Sequence, residues 1–235
     1  SLLERYLWTP LSASAGRADG RTYLGNTELD PETSFQFTAS ATHRSEQWEI
    51  RLAPYYNRVH NYIQGSPIER MDPAGRSVLQ FQNVDWVELY GAELAASYEF
   101  TEQIELAAQV TYVRGENLDS HDNLYRISPL HGLVDLGWHE GSWEAHLELD
   151  WAAAQDDVSE FNDESTTPGY ALLHLRGGYQ LNAGTRVEIG IENLFDQEYS
   201  PHLAGINRVT GGDVAVGDSI PGAGRSFYAN LSWAF

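Results

Sequence analysis

Apolar and polar residues alternate with a period of two along most of the chain, and a 3.6-residue repeat is hard to find. That pattern predicts strands almost everywhere. The cleanest run places Trp143, Ala145, Leu147, Leu149 and Trp151 on one face and Glu144, His146, Glu148 and Asp150 on the other. The last segment does the same, with Phe227, Ala229, Leu231, Trp233 and Phe235 set against Tyr228, Asn230, Ser232 and Ala234. Runs starting at Ile104 and at Trp48 repeat the pattern. Several reach about ten residues, the length a tilted strand needs to cross a bilayer, whereas sandwich strands stop at about five or six. Aromatic rings end the apolar faces, as in the two interfacial girdles of a membrane barrel.

The connections alternate between short and long. Short ones fall at Arg44-Ser45-Glu46, Thr101-Glu102-Gln103, Glu140-Gly141-Ser142 and Leu181-Asn182-Ala183-Gly184, and long polar ones near residues 61–76, 116–126, 156–168 and 197–224. An outer-membrane barrel has short periplasmic turns and long external loops. If the final strand runs inward to Phe235, every short turn falls on the periplasmic side. The count is then nine strands, at about 34–43, 47–60, 77–100, 104–115, 127–139, 142–157, 168–180, 185–196 and 225–235. Residues 1–25 offer one further strand, around Arg5 to Ser14, with poor alternation. An odd number cannot close a bacterial single-chain barrel. The expected fold is therefore all-β, an antiparallel up-and-down transmembrane barrel of which these nine or ten strands form an open arc.

Composition sharpens this picture. Hydrophobic residues make up 42% of the 235, aromatics 12%, yet mean hydropathy is −0.42. No segment approaches the roughly 20 apolar residues of a spanning helix. The formal charge of −20, from 34 acidic and 14 basic residues, argues against nucleic acid as a partner. With no cysteine, disulfides, thiolate metal sites and Cys nucleophiles are excluded. The chain opens Ser1-Leu2-Leu3-Glu4-Arg5 without a signal peptide, so an exported protein of this kind is expected to begin upstream.

Five segments, in order, carry a family resemblance. Gly25-Asn26-Thr27-Glu28-Leu29-Asp30-Pro31-Glu32 resembles the N-P-x-L-x-P-E motif of TonB-dependent receptors, with Thr27 in place of the usual Pro. Asn83-Val84 followed by Gly91-Ala92-Glu93-Leu94 resembles the family's N-V…G-x-E-L strand, and Pro168-Gly169-Tyr170 comes next. Ile191-Glu192-Asn193-Leu194-Phe195-Asp196-Gln197-Glu198-Tyr199 is similar to its x-x-N-L-F-D-x-x-Y segment, and Pro221-Gly222-Ala223-Gly224-Arg225-Ser226-Phe227 to its P-x-x-G-R-x-F lead into the last strand. Terminal Phe235 resembles the signal read by the barrel assembly machinery. The resemblance implies a 22-stranded barrel with its lumen plugged. Residues 1–235 would be its C-terminal part, with the plug and remaining strands lying upstream. It implies an outer-membrane location in contact with lipid, coupling to TonB through the plug, and active import of a metal complex. A ferric siderophore heads the cargoes, with copper or another chelate behind it, and no bound cofactor is expected.

Candidate contacts follow from loops and faces. No G-x-S-x-G, H-E-x-x-H or P-loop occurs, so a catalytic role has no motif behind it. The eight histidines show no ligand spacing. His121, beside Asp119 and Asp122 in an external loop, is a candidate substrate contact, though a solvated acidic loop is the simpler account. His202, Asn207 and Arg208, in the last external loop, are further candidates. Tyr199-x-x-His202-Leu203 with Asn207-Arg208 resembles the copper-uptake branch, and the inserted Ala204-Gly205-Ile206 breaks that match. His174 and Arg176 share a lumen face and Arg225 enters the last strand, so these three are candidate lumen or plug contacts. Two rivals remain: a complete small barrel acting as protease, lipase or passive pore, and a soluble all-β binding protein. The second would have to expose the greasy face of Trp143, Leu147, Leu149 and Trp151 to water.

Overall fold

In the computed structural model one sheet takes up nearly the whole chain, and its strands follow one another as an antiparallel meander. The structure describes residues 2–7, 22–72, 75, 77–207 and 209–234. The strands are β1 (Tyr23–Leu24), β2 (Thr33–Thr38), β3 (Ala41–Arg44), β4 (Trp48–Met71), β5 (Ser77–Thr101), β6 (Ile104–Asn117), β7 (Asp122–Asn123), β8 (His131–Glu140), β9 (Trp143–Ala152), β10 (Tyr170–Asn182), β11 (Thr185–Glu192) and β12 (Ser226–Trp233). Their order is β12-β11-β10-β9-β8-β6-β5-β4-β2, while β3 extends β2 along β4. Nine staves result among the described residues, as the alternation and turn parity predict.

One expected boundary moves outward, β4 continuing past 60 to Met71 through most of the stretch expected as an external loop because it stays paired with β5, and several others contract for local reasons. The stave beginning at 127 starts at His131, because Pro129 cannot donate to a ladder. The one ending at 196 stops at Glu192, where Asn193 turns into the left-handed region with φ 49°. The strand expected around Arg5 to Ser14 is not formed at its start. Residues Leu2–Tyr6 make a short helix instead, and residues 8–21 lie outside the described residues, as does Phe235. Arg5 anchors the helix by donating to the carbonyls of Thr27 (2.9 Å) and Leu29 (2.6 Å).

Pair registers put the two faces of each stave in continuous rows. Leu136, Leu147 and Leu175 lie side by side, as do Val187 and Leu231. No second sheet covers this apolar face among the described residues. Phe227, Leu231 and Trp233 are 73%, 66% and 70% exposed, a contiguous apolar surface that only lipid would satisfy. Ten-residue strands such as β9, at about 3.4 Å per residue and a tilt of about 45°, rise about 24 Å, which matches the apolar band of a barrel. Near the short turns the same face carries Trp48 opposite Tyr98 and Trp143 against Tyr179, with ring centroids 4.4 Å apart. Rings at that level form the inner girdle.

The hairpin β4–β5 runs 24 and 25 residues, about twice a membrane span. β6 pairs with β5 only from Val87 downward, so the upper hairpin stands free in the external space. Its free edge is taken by β1, which pairs parallel at Tyr23↔Leu79. There Tyr23, Leu29, Leu79 and Phe81 form the one compact apolar core of the described residues, with Tyr23 stacked on Phe81 at 5.4 Å.

Candidate functional site

Two regions gather polar chemistry: the inward wall between β8 and β12, and the external loops. On the wall, alternation places charges on three adjacent strands, and the register brings them together. Gly137 pairs with His146, and His146 with Arg176. His146 Nδ1 lies 2.8 Å from Asp135 Oδ2, and Arg176 reaches Asp135 at 3.5 Å and Glu148 at 3.7 Å. One step along, Arg186 bridges Glu144 and Glu188, and the Tyr228 hydroxyl donates to Glu188 at 3.2 Å. Two of these contacts need a neighbour without a side chain. A Cβ on Gly190 would lie 2.3 Å from the Tyr228 ring, and one on Gly178 would lie 2.4 Å from Glu144. The groups are half-exposed, as expected for a hydrated lumen.

His174 and Arg176 therefore lie on the charged face. Arg176 is held by two carboxylates, and His174 Nδ1 accepts the Asn193 amide at 3.2 Å. Arg225 stands outside this wall, its backbone N–H donating to Asp196 at 2.8 Å and its guanidinium 3.7 Å from that carboxylate.

Above the wall, three loops are fastened together. In the loop after β9, Glu164 accepts from the backbone N–H of Arg126 (2.9 Å) and of Ser159 (2.9 Å), and from His202 Nε2 (3.1 Å). His202 sits on a single 3-10 turn, His202–Ala204, with its other ring nitrogen 3.1 Å from the Thr167 hydroxyl. The His202 and Glu164 side chains are 3% and 8% exposed. Asp122 makes the second fastening, accepting from the Ser159 hydroxyl (2.7 Å) and from the amides of Glu160 (2.8 Å) and Phe161 (3.2 Å). Carboxylates satisfied in this way, Glu164 buried and Asp122 partly so, fasten the loops to one another.

The expected contact residues are dispersed among these loops. His121 is 80% exposed at its side chain, beside Glu116 at 3.2 Å. Its neighbours turn elsewhere, Asp119 capping the amides of Asp85 and Trp86 and Asp122 closing the fastening above. His202 is buried within that fastening. Asn207 braces its own loop, donating to the carbonyls of Val209 (2.9 Å) and Val214 (2.6 Å), and Arg208 lies outside the described residues. Among the described residues no three His, Asp or Glu side chains converge as a metal site. Sequence reasoning missed Glu164, Thr167 and Ser159, since nothing along the chain marks partners 35 to 38 residues from His202 and Asp122.

The motifs that carry the family resemblance turn out to be fasteners as well. Asn83 donates to the carbonyls of Asp30 (3.0 Å) and Asn61 (2.7 Å) and accepts the Asp30 amide (2.8 Å), binding the first motif to the second. Asn193 ties Gln197 (2.9 Å) to Ala223 (3.2 Å). It thereby joins the feet of the last loop.

A single wall of lipid-facing staves, a charged inner face and clasped external loops define a segment of an outer-membrane β-barrel. The chain matches the family described as "TonB dependent receptor-like, beta-barrel" over residues 1–194, and it belongs to that family. It is 27% identical over 199 residues to the iron-regulated outer membrane virulence protein of Vibrio cholerae, covering 76% of this chain and 29% of that protein. It is 23% identical over 230 residues to the ferric enterobactin receptor of Pseudomonas aeruginosa, covering 90% and 30%. Among solved structures, the copper transporter OprC superposes with a TM-score of 0.80 at 26% identity, covering 89% of this chain and 32% of that one. A ferric enterobactin receptor mutant from P. aeruginosa, in complex with enterobactin, superposes at 0.70 and 22%, covering 91% and 33%. The chain thus spans about 30% of the length of the relatives it matches.

Proposed function

We propose that this chain supplies the C-terminal wall and external loops of an energised importer that takes a metal complex, a ferric siderophore first, across the outer membrane. Its plug and remaining strands would come from other parts of the receptor, the plug transmitting the pull of TonB. Outer-membrane lipid surrounds the wall, and the assembly machinery inserts it. The observation carrying this reading is the family match over residues 1–194, and the iron-linked names of two relatives support the cargo class. In this reading Arg176 and the carboxylates around it face the plug across the lumen, and His121 is the loop histidine with access to solvent.

The test is uptake of radioactive ferric chelate by cells lacking the receptor that carries this chain. Uptake is expected to disappear, to return on complementation, and to require TonB. Unchanged uptake of every metal complex offered would overturn the proposal.

A second reading, copper import, is favoured by the superposition on OprC. This chain contains no Cys and one Met, Met71, so soft ligands for reduced copper would have to come from elsewhere in the receptor. The same uptake assay with a copper isotope separates the two.

A further inference from the structure

On the outward face of β4, β5 and β6 the apolar rows end in a patch of rings and charges. Strand register sets Leu52, Leu94 and Val110 in one row, Tyr56, Tyr90 and Arg114 in a row further out, and Arg58, Glu88 and Glu116 in the row beyond that. Arg58 lies ten residues past Trp48, and Arg114 ten past Ile104, a rise of about 24 Å at a tilt of about 45°. That is the height of the apolar band, so both guanidiniums stand at the level of the outer headgroups. Rings hold these charges in place. Arg58 lies 4.4 Å from the centre of the Trp86 ring, His60 tilts against Trp86 at 4.6 Å, and the Tyr56 hydroxyl donates to Glu88 at 2.6 Å.

A notch in the wall adjoins the patch. β6 pairs with β8 only as far as Thr111↔His131. Two residues on, the same register would set Pro129, which has no N–H, opposite Val113, so the ladder stops. The wall opens there into a cavity of about 120 Å³. Tyr112 and Arg114 stand on one side of it, and Leu130 and Ala153 on the other, joined by the Ala153 amide donating to the Leu130 carbonyl at 2.8 Å. Arg114 bridges to Asp157 at the rim. Tyr112 and Arg114 share the face of Val110, so they rim the notch on its bilayer side.

Three carboxylates, Glu88, Glu116 and Asp157, stand among the two guanidiniums, so the patch offers no net positive field to a bare anion. Donors, acceptors and ring faces are interleaved instead, a set that suits a ring of hydroxyls with an apolar face. From β4 to β6 is two strand spacings, about 10 Å, a distance that a disaccharide can bridge. We infer that patch and notch together hold the sugar headgroup of an outer-leaflet glycolipid, whatever cargo the receptor carries. One sugar ring lies against Arg58 and Trp86 and the next against Tyr112 and Arg114, while the acyl chains run down over Leu52, Leu94 and Val110.

The test is native mass spectrometry of the full receptor, titrated in detergent with three lipids: a deep-rough lipopolysaccharide, the same molecule stripped of its phosphates, and phosphatidylglycerol. Both sugar lipids are expected to be held at least about tenfold more tightly than phosphatidylglycerol, which carries charge but no sugar ring. Trp86→Ala and Arg114→Ala should each weaken lipopolysaccharide about five- to tenfold. Val187→Ala, on the lipid face of β11, should leave it unchanged, and heat-modifiable mobility verifies that each variant is folded. Phosphatidylglycerol held as tightly as lipopolysaccharide, binding lost with the phosphates, or Trp86 and Arg114 variants that bind as the native receptor does would each overturn the site.

Discussion

Truncating Glu164 to Ala should release the external loops while leaving the barrel wall intact. The side chain is 8% exposed and serves two backbone amides, those of Arg126 and Ser159, and the 3%-exposed ring of His202. Each buried donor that loses its acceptor costs about 1–3 kcal/mol, and three are at stake here. Water entering the emptied space recovers part of this, so a net of about 3 kcal/mol is expected, or a shift of about 150-fold in the loop opening equilibrium. Glu164→Gln keeps one carbonyl oxygen and should lose about half as much. Amide hydrogen exchange reads the effect directly, since opening exposes the Arg126 and Ser159 amides. Both should exchange about 100-fold faster in Glu164→Ala, with β9 and β10 amides unchanged as an internal reference. Acceleration of less than about threefold would refute the claim that Glu164 holds the loops.

Other consequences test the wall. Leu147→Arg places a guanidinium on the lipid face and should cost about 2–4 kcal/mol, cutting the assembled fraction, whereas Glu148→Arg on the inward face should cost under about 1 kcal/mol. Heat-modifiable gel mobility compares the two, and equal losses would contradict the face assignment. Gly190→Ala must displace the Tyr228 ring, costing about 1–3 kcal/mol, and Tyr228→Ala in the same chain should restore most of the thermal midpoint. Arg176→Ala removes the cation between Asp135 and Glu148, yet its side chain is 40% exposed, so the loss should stay below about 1 kcal/mol. A larger fall in midpoint would show that this lumen pair is drier than its exposure indicates.

Much of the architecture was legible along the chain because strand alternation is local. Trp143, Leu147 and Trp151 share a face by backbone geometry alone, and a bilayer on one side with water on the other makes that face apolar. Turn length then assigned each end to its side of the membrane, and nine staves follow in the expected order among the described residues, although β4 runs past its expected end at 60 to Met71. Propensity failed where backbone chemistry intervened, at Pro129 and at the left-handed Asn193. It also failed at the N-terminus, where poorly alternating residues formed a helix.

The site was a different matter. His202 reads as an available ligand in a polar loop, and only the fold reveals that it is closed in by Glu164, 38 residues away. Asp135, His146 and Arg176 look like unrelated charges until the register of three strands sets them side by side.

By itself, then, the sequence determined the period, the faces, the number of staves and the family, all properties of neighbouring residues against a two-phase environment. Tertiary structure decided which loops clasp, which charges pair and where a cavity opens. Those depend on inter-strand register and loop closure, which bring together groups the chain keeps far apart.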